Sequence, residues 1–480
     1  MVAVMLPDAE VRAGAYERLV EVMERHWEYV EALPVAPRAA YEELEARVSA
    51  FDFERPMSPL SLVDASSELL RDGIVHTAHP RYFGLFNPTP AFAGVLADAL
   101  AAAFNPQLAV VSHAPAAVAI ERHVLSFLAG RLGIAHGSGS FTSGGAEANL
   151  TAVLVALERR FPEAAVDGFN AVAGQPTLYA STEAHHSLGK IARMTGLGRA
   201  AVRLIAPTDG LSVNVDALRA AVLRDRANGA RPFLVVATAG STASAVIDPL
   251  PAIADVCGEL DVDLHVDAAW AGAACLSDRL RPLLAGIDRA DSVTVDAHKW
   301  LSAPMGAGVF LTRHADALGR TFRTTASYMP SADASDPYLS SVQWSRRFIG
   351  LKVFMSLAAA GRAGYAAQLE RDCELADHLR SRLRRDRWLI VNDTPLPVVC
   401  FTTDDQSQPN LASIAERVVD AGIAWISVAQ LAGHPALRAC ITSYRTTAKD
   451  IDSLCAALVA ARDVTSPASL PTGSPPVSSS

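Results

Sequence analysis

Two residues of this chain could do covalent chemistry together: Lys299 and Asp267. Each stands at the end of a short apolar run. Asp263-Leu264-His265-Val266-Asp267 closes on a carboxylate, and Ser292-Val293-Thr294-Val295-Asp296 leads into Ala297-His298-Lys299-Trp300. A lysine amine can form a Schiff base with an aldehyde, and a carboxylate can keep a heteroaromatic nitrogen protonated. Pyridoxal phosphate needs both, because its protonated ring is the sink for electrons released at a substrate Cα. Taken singly, Lys299 reads as a surface lysine and Asp267 as a strand-end cap. The elements that carry them have to decide.

Between the two runs, apolar residues are spaced for one short helix around Pro282 and Gly286. A strand, a crossover and a second strand make the unit of a parallel sheet, whose ligands bind beyond the carboxyl ends of the strands. Asp267 and Lys299 would then share that edge. Six strand-like runs, starting near Thr177, Ala201, Phe233, Asp263, Ser292 and Gly308, alternate with helical segments, which argues an α/β fold with a mostly parallel sheet. Upstream, Gly137–Asn149 is a glycine- and hydroxyl-rich run leading into an apolar helix, Leu150–Arg160. Such a turn offers free N–H groups and a helix dipole to a phosphate. The plainer reading is a glycine loop with Ser143 as an N-cap. There is no GxGxxG and no Walker pattern, so a nucleotide is not indicated.

HVDAAWAG at His265–Gly272 and DAHKWL at Asp296–Leu301 resemble the pyridoxal-phosphate-dependent group II amino-acid decarboxylases, a family that includes the aromatic-amino-acid, glutamate and histidine decarboxylases. The likeness runs from about Pro80 to about Ile451. It implies the PLP-dependent transferase fold (fold type I) and a homodimer with its active site at the interface. By resemblance, Lys299 carries the cofactor, Asp267 pairs with the pyridinium and His298 lies beside it. The TSGG-x-EAN match places the phosphate on Gly144, Gly145 and Ala146. An AH-S-type match makes His185 the flat partner of the ring and leaves His186 without a role. Thr238 and Thr242 flank the family's T-x-G-T-T turn, with Ser241 where Thr is usual. HPRYFG at His79–Gly84 brings Phe83 to the substrate pocket. The L-R strand motif offers Arg438 to a substrate carboxylate, although Arg438 also reads as structural.

The polar stretch Thr324–Ser341 has no regular period and reads as a lid or an insertion. The family carries a proton-donating tyrosine here. Counting back from Arg346-Arg347 favours Tyr338 over Tyr328, with a one-residue gap. Family branches that act as aldehyde synthases typically replace this tyrosine, so its presence favours plain decarboxylation to the amine. An aminotransferase of the same fold is the other alternative.

Composition sets the bounds. The 480 residues are 50% hydrophobic and 19% charged, with a net charge of −9. The charge argues against a nucleic-acid or anionic-membrane partner. Six scattered cysteines without CxxC spacing read as reduced thiols of a cytoplasmic protein, and no metal-binding pattern occurs. No signal peptide is evident, and the apolar stretch Ala91–Phe104 is too short to span a bilayer. The expected organisation is an N-terminal helical dimerisation segment (1–75), a large cofactor-binding domain (76–350), a small α+β domain (351–463) and a disordered Ser/Pro-rich tail (464–480). The small aliphatic loop 108–115 calls for no charged substrate side chain, so a hydrophobic or aromatic L-amino acid is expected.

Overall fold

The computed structural model describes residues 5–37, 39–134, 137–324, 336–403 and 410–463. Tyr328 and the tail from 464 lie outside the described residues. Seven strands form the larger sheet: β1 (Ser138–Thr142), β2 (Pro176–Ser181), β3 (Val202–Ile205), β4 (Arg231–Thr238), β5 (Asp263–Asp267), β6 (Ser292–Asp296) and β7 (Gly308–Thr312). Their spatial order is β1-β7-β6-β5-β4-β2-β3. The run from β3 through β6 is parallel, while β7 and β1 pair antiparallel. Every residue of β5 and β6 is buried. The polar residues that alternate with Leu264, Val266, Val293 and Val295 are therefore inside the fold, where they need partners.

A second, antiparallel sheet is built from β8 (Trp388–Ile390), β9 (Val398–Thr403), β10 (Ser427–Leu431) and β11 (His434–Cys440), in the order β10-β11-β9-β8. Residues 82 and 83 reach across to it. Tyr82 bridges Trp425, Phe83 N–H donates to Trp425 O at 2.8 Å, and Cys440 N–H donates to Phe83 O at 2.9 Å. The helix Ile349–Arg385 runs on through the expected domain boundary. Its one non-helical residue is Gly361, at φ 64° and ψ 170°. That conformation is essentially reserved for glycine.

Several expectations needed correction. The single short helix between β5 and β6 is three 3-10 turns, Ala271–Leu276, Arg281–Leu284 and Ile287–Arg289. Pro282 and Gly286 divide the segment too finely for an α-helix to propagate. Part of the glycine run is strand: Ser138–Thr142 pairs with β7 along its whole length. The helix after it starts at Gly145 rather than Leu150, capped by Gly144 and not by Ser143. The strand expected at Ala424–Ser427 begins at Ser427.

Candidate active site

The carboxyl ends of β4, β5 and β6 lie side by side. Thr238 is in register with Asp267, and Asp267 with Thr294. Parallel pairing therefore brings a hydroxyl and two carboxylates, Asp267 and Asp296, to one edge. The N-terminus of the helix Gly145–Arg160 faces the same edge. Together they enclose a cavity of about 320 Å³, lined among others by Phe86, Gly144, Gly145, Ala146, His185, Thr238, Thr242, Asp267, Trp270, Asp296, His298 and Lys299.

Asp267 is buried, and both its oxygens are held. Asn149 Nδ2 donates to Oδ2 at 2.7 Å, and Ala269 N–H donates to Oδ1 at 3.1 Å. Asn149 is itself fixed. Thr294 Oγ1 donates to its Oδ1 at 2.8 Å, and His265 Nε2 lies 3.1 Å from the same atom. His265 Nδ1 is 2.8 Å from Ser292 Oγ. Burial pushes His265 down to about 4, so the ring is neutral. With Nε2–H facing a carbonyl oxygen, Nδ1 must accept from Ser292. The carboxylate thus ends a chain of buried, satisfied hydrogen bonds and cannot rotate freely.

Lys299 follows β6 in a turn, with Nζ 3.1 Å from Asp296 Oδ2 and 5.9 Å from the centre of the Phe86 ring. His298 Nδ1 accepts from Ala307 N–H at 3.1 Å, leaving Nε2 3.8 Å from Asp296 Oδ2. Burial lowers the His298 pKa, and burial likewise lowers that of His185. His185 comes from the end of β2, and its Nδ1 accepts from Ser187 N–H at 3.2 Å. Gly145 has to be glycine, because a Cβ there would sit 2.9 Å from Asp296 Oδ2. Thr238 N–H donates to Asp248 Oδ2 at 2.8 Å, while its buried Oγ1 has no hydrogen-bond partner among the described residues.

Three expected residues lie elsewhere. Phe83 is fully buried in the core of the second sheet, among Leu379, Phe401, Leu437 and Ile441. The aromatic ring that this loop turns into the cavity is Phe86, stacked on Trp270 at 4.7 Å, which in turn stacks on Trp300 at 5.1 Å. Arg438 lies behind that ring, its guanidinium 4.7 Å from the Phe86 centroid. Its Nε donates to Ala243 O and its Nη1 to Gly84 O, while its buried Nη2 has no hydrogen-bond partner among the described residues. Tyr338 packs against Ala109, Val110 and Trp344 and does not line its own chain's cavity.

Sequence reasoning gave no role to Asn149, His265, Thr294, Asp296, Phe86 or Trp270. One signal was available. Asn149, Ala152, Val153 and Ala156 share a buried face of one helix, and an amide on such a face must have a partner inside.

A lysine in the cavity, a clamped carboxylate, an unpartnered hydroxyl and a glycine-started helix are the parts that a pyridoxal-phosphate enzyme of the α/β class needs. The orphaned Thr238 hydroxyl and the side-chain-free cradle at Gly144 and Gly145 fit that group. Residues 48–404 match the family model described as the pyridoxal-dependent decarboxylase conserved domain. The chain is 28% identical to an aromatic-L-amino-acid decarboxylase of Bacillus atrophaeus over 92% of its length and 93% of that protein. It is 34% identical to human cysteine sulfinic acid decarboxylase over 68% of each chain. Crystal structures of mouse CSAD in apo form and of Oryza sativa TDC with PLP and tryptamine each superpose with a TM-score of 0.89 at 25% identity. The match covers 95% of this chain, and 100% and 98% of theirs. The chain belongs to the pyridoxal-dependent decarboxylase family, and its fold is that of fold type I. It is an amino-acid decarboxylase whose cofactor is pyridoxal phosphate. Among the described residues no cluster suits a metal ion, and no helix is long and apolar enough to cross a membrane.

Proposed function

We propose that the chain converts a hydrophobic or aromatic L-amino acid to its amine and CO2, as a cytoplasmic homodimer with the active sites at the interface. The observation that carries the substrate reading is the aromatic wall, Phe86 stacked on Trp270, in a cavity whose one lysine is Lys299. A flat apolar wall rewards an apolar side chain and offers nothing to a second carboxylate.

Bound pyridoxal phosphate supplies the electron sink. The chain supplies the rest. Lys299 would hold the cofactor through its amine. Asp267, fixed by Asn149 and Ala269 N–H, keeps the ring nitrogen protonated. Gly144, Gly145 and Ala146 would hold the phosphate at the helix N-terminus, with Thr238 and Thr242 at the cavity wall, and His185 would be the partner of the ring. Arg438 lies behind the Phe86 ring and outside the cavity lining, so it acts on the substrate through that wall. Tyr338 returns a proton to Cα. Since it is remote from its own cavity, that role places it at the partner's. Dimerisation is supported by the helices Ala9–Tyr29, Tyr41–Ser49 and Pro59–Gly73, none of which buries a residue within the chain. Six buried, unpaired cysteines support a reducing compartment.

Release of CO2 from each of the common L-amino acids tests the substrate reading. The highest kcat/KM is expected for an aromatic or large aliphatic residue. Preferential turnover of glutamate, aspartate or cysteine sulfinate would overturn it.

A further inference from the structure

Three carboxylates line the cavity, Glu147, Asp267 and Asp296, and the reaction as derived uses one. Glu147 accepts from Ser143 and Gln343, which leaves Asp296. Its side chain is 2% exposed, and Oδ1 has no hydrogen-bond partner among the described residues. Oδ2 lies 3.1 Å from Lys299 Nζ and 3.8 Å from His298 Nε2. Burial keeps His298 neutral, so the lysine ammonium is the cation that this carboxylate faces. A buried carboxylate is costly without a cation. A lysine displaced from the cofactor by a substrate is such a cation, and Asp296 Oδ2 lies within its reach.

We propose that Asp296 is a positioning residue that docks displaced Lys299 and so favours transfer of the cofactor to the substrate amine. The inference rests on the reading of Lys299 as the cofactor's attachment point. In the exchange, the incoming ammonium nitrogen forms a bond to the cofactor's aldehyde carbon and the bond from that carbon to Lys299 Nζ breaks. Two of the three protons on the incoming nitrogen pass to Nζ, which already carries one, so Lys299 is released as an ammonium. An attached nitrogen shares its charge with the ring, whereas the freed one is a compact ammonium with three donors. Asp296 therefore stabilises the product side of the exchange.

The test uses full-length protein loaded with cofactor, with methylamine as the displacing amine. After equilibration, borohydride reduction and mass spectrometry give the cofactor fraction fixed on Lys299 and the fraction carried by methylamine. Asp296→Asn is expected to raise the methylamine concentration needed for half-displacement about tenfold, as loss of a charge-assisted contact would. In a Lys299→Ala background, with no lysine to dock, the same substitution is expected to change methylamine uptake by less than about twofold. Asp296→Ala serves if the Asn variant folds poorly. Equal effects in the two backgrounds, or none in either, would overturn the role of Asp296. Cofactor fixed in wild type to a residue other than Lys299 would instead overturn the functional reading beneath it.

Discussion

Asp267 shows how a site is made from residues of little individual distinction. Its value lies in orientation, and the orientation comes from Asn149, Thr294, His265 and Ser292 on three different elements. Asp267→Asn keeps the shape and loses the charge. Turnover is expected to fall by about 10²–10³-fold with the fold intact, the scale of losing one preorganised electrostatic partner. Near-normal turnover, measured beside a circular dichroism spectrum, would remove Asp267 from its role. His265 carries a stability prediction. Its folded pKa of about 4 lies below the ordinary 6.5, because burial disfavours the charged ring. Between those values the unfolded chain binds a proton that the folded chain does not. The histidine's contribution is therefore complete above pH 6.5 and is lost as pH falls toward 4. Asp248, raised by burial to about 6, acts in the opposite sense, so the comparison must be with a variant. Chemical denaturation of wild type and His265→Gln at steps from pH 7 to pH 4 should show a shallower acid-side loss in the variant. Parallel curves would mean that His265 is charged in the fold.

At the scale of elements, the sequence was most legible where burial is two-sided. β4, β5 and β6 carry β-branched and apolar residues and end at residues with chemistry, so both the strands and the site edge could be read directly. β1 could not. Ser-Gly-Ser-Phe-Thr has neither the alternation nor the β-branched content of a strand, and it is a strand because β7 lies beside it. Phe86 was missed for a different reason. A motif gives the loop but not which way each ring turns, and here only Gly84 and Leu85 separate a ring in the second sheet's core from a ring in the cavity. The segment carrying Tyr338 belongs to the same scale. Asp336 Oδ1 accepts from Val111 N–H at 2.8 Å and Tyr338 N–H donates to Ala109 O at 3.1 Å, so this segment and the 108–115 loop move as one. Phenylalanine at 338 would fill the space with no proton to give. Tyr338→Phe is expected to keep CO2 release while shifting product from amine toward aldehyde, ammonia and hydrogen peroxide under air. An unchanged amine-to-aldehyde ratio would assign the proton to another donor, with His298 the first to examine.

For the whole molecule, the unused apolar surface is the strongest statement. Phe92, Leu96, Leu100 and Phe104 are exposed at four-residue intervals along one helix, a continuous stripe that water does not favour. Burying each such side chain is worth about 1.5–3 kcal/mol. Leu96→Asp with Leu100→Asp is expected to convert a dimer to a monomer in sedimentation velocity and to abolish turnover. A wild-type monomer, or a variant that stays dimeric, would refute that interface. Another feature reaches further. Phe83 is an integral part of the second sheet's core, Phe86 is part of the cavity wall, and Gly84 O between them receives Arg438. Small shifts in how the second sheet packs are thereby delivered to the wall that sorts substrates. Selection on this lineage could retune its diet through ordinary core substitutions at positions such as Leu379 or Leu437, far from any reacting atom. Specificity would then be inherited as a property of packing, and catalogues of pocket residues alone would misjudge which descendants share a substrate.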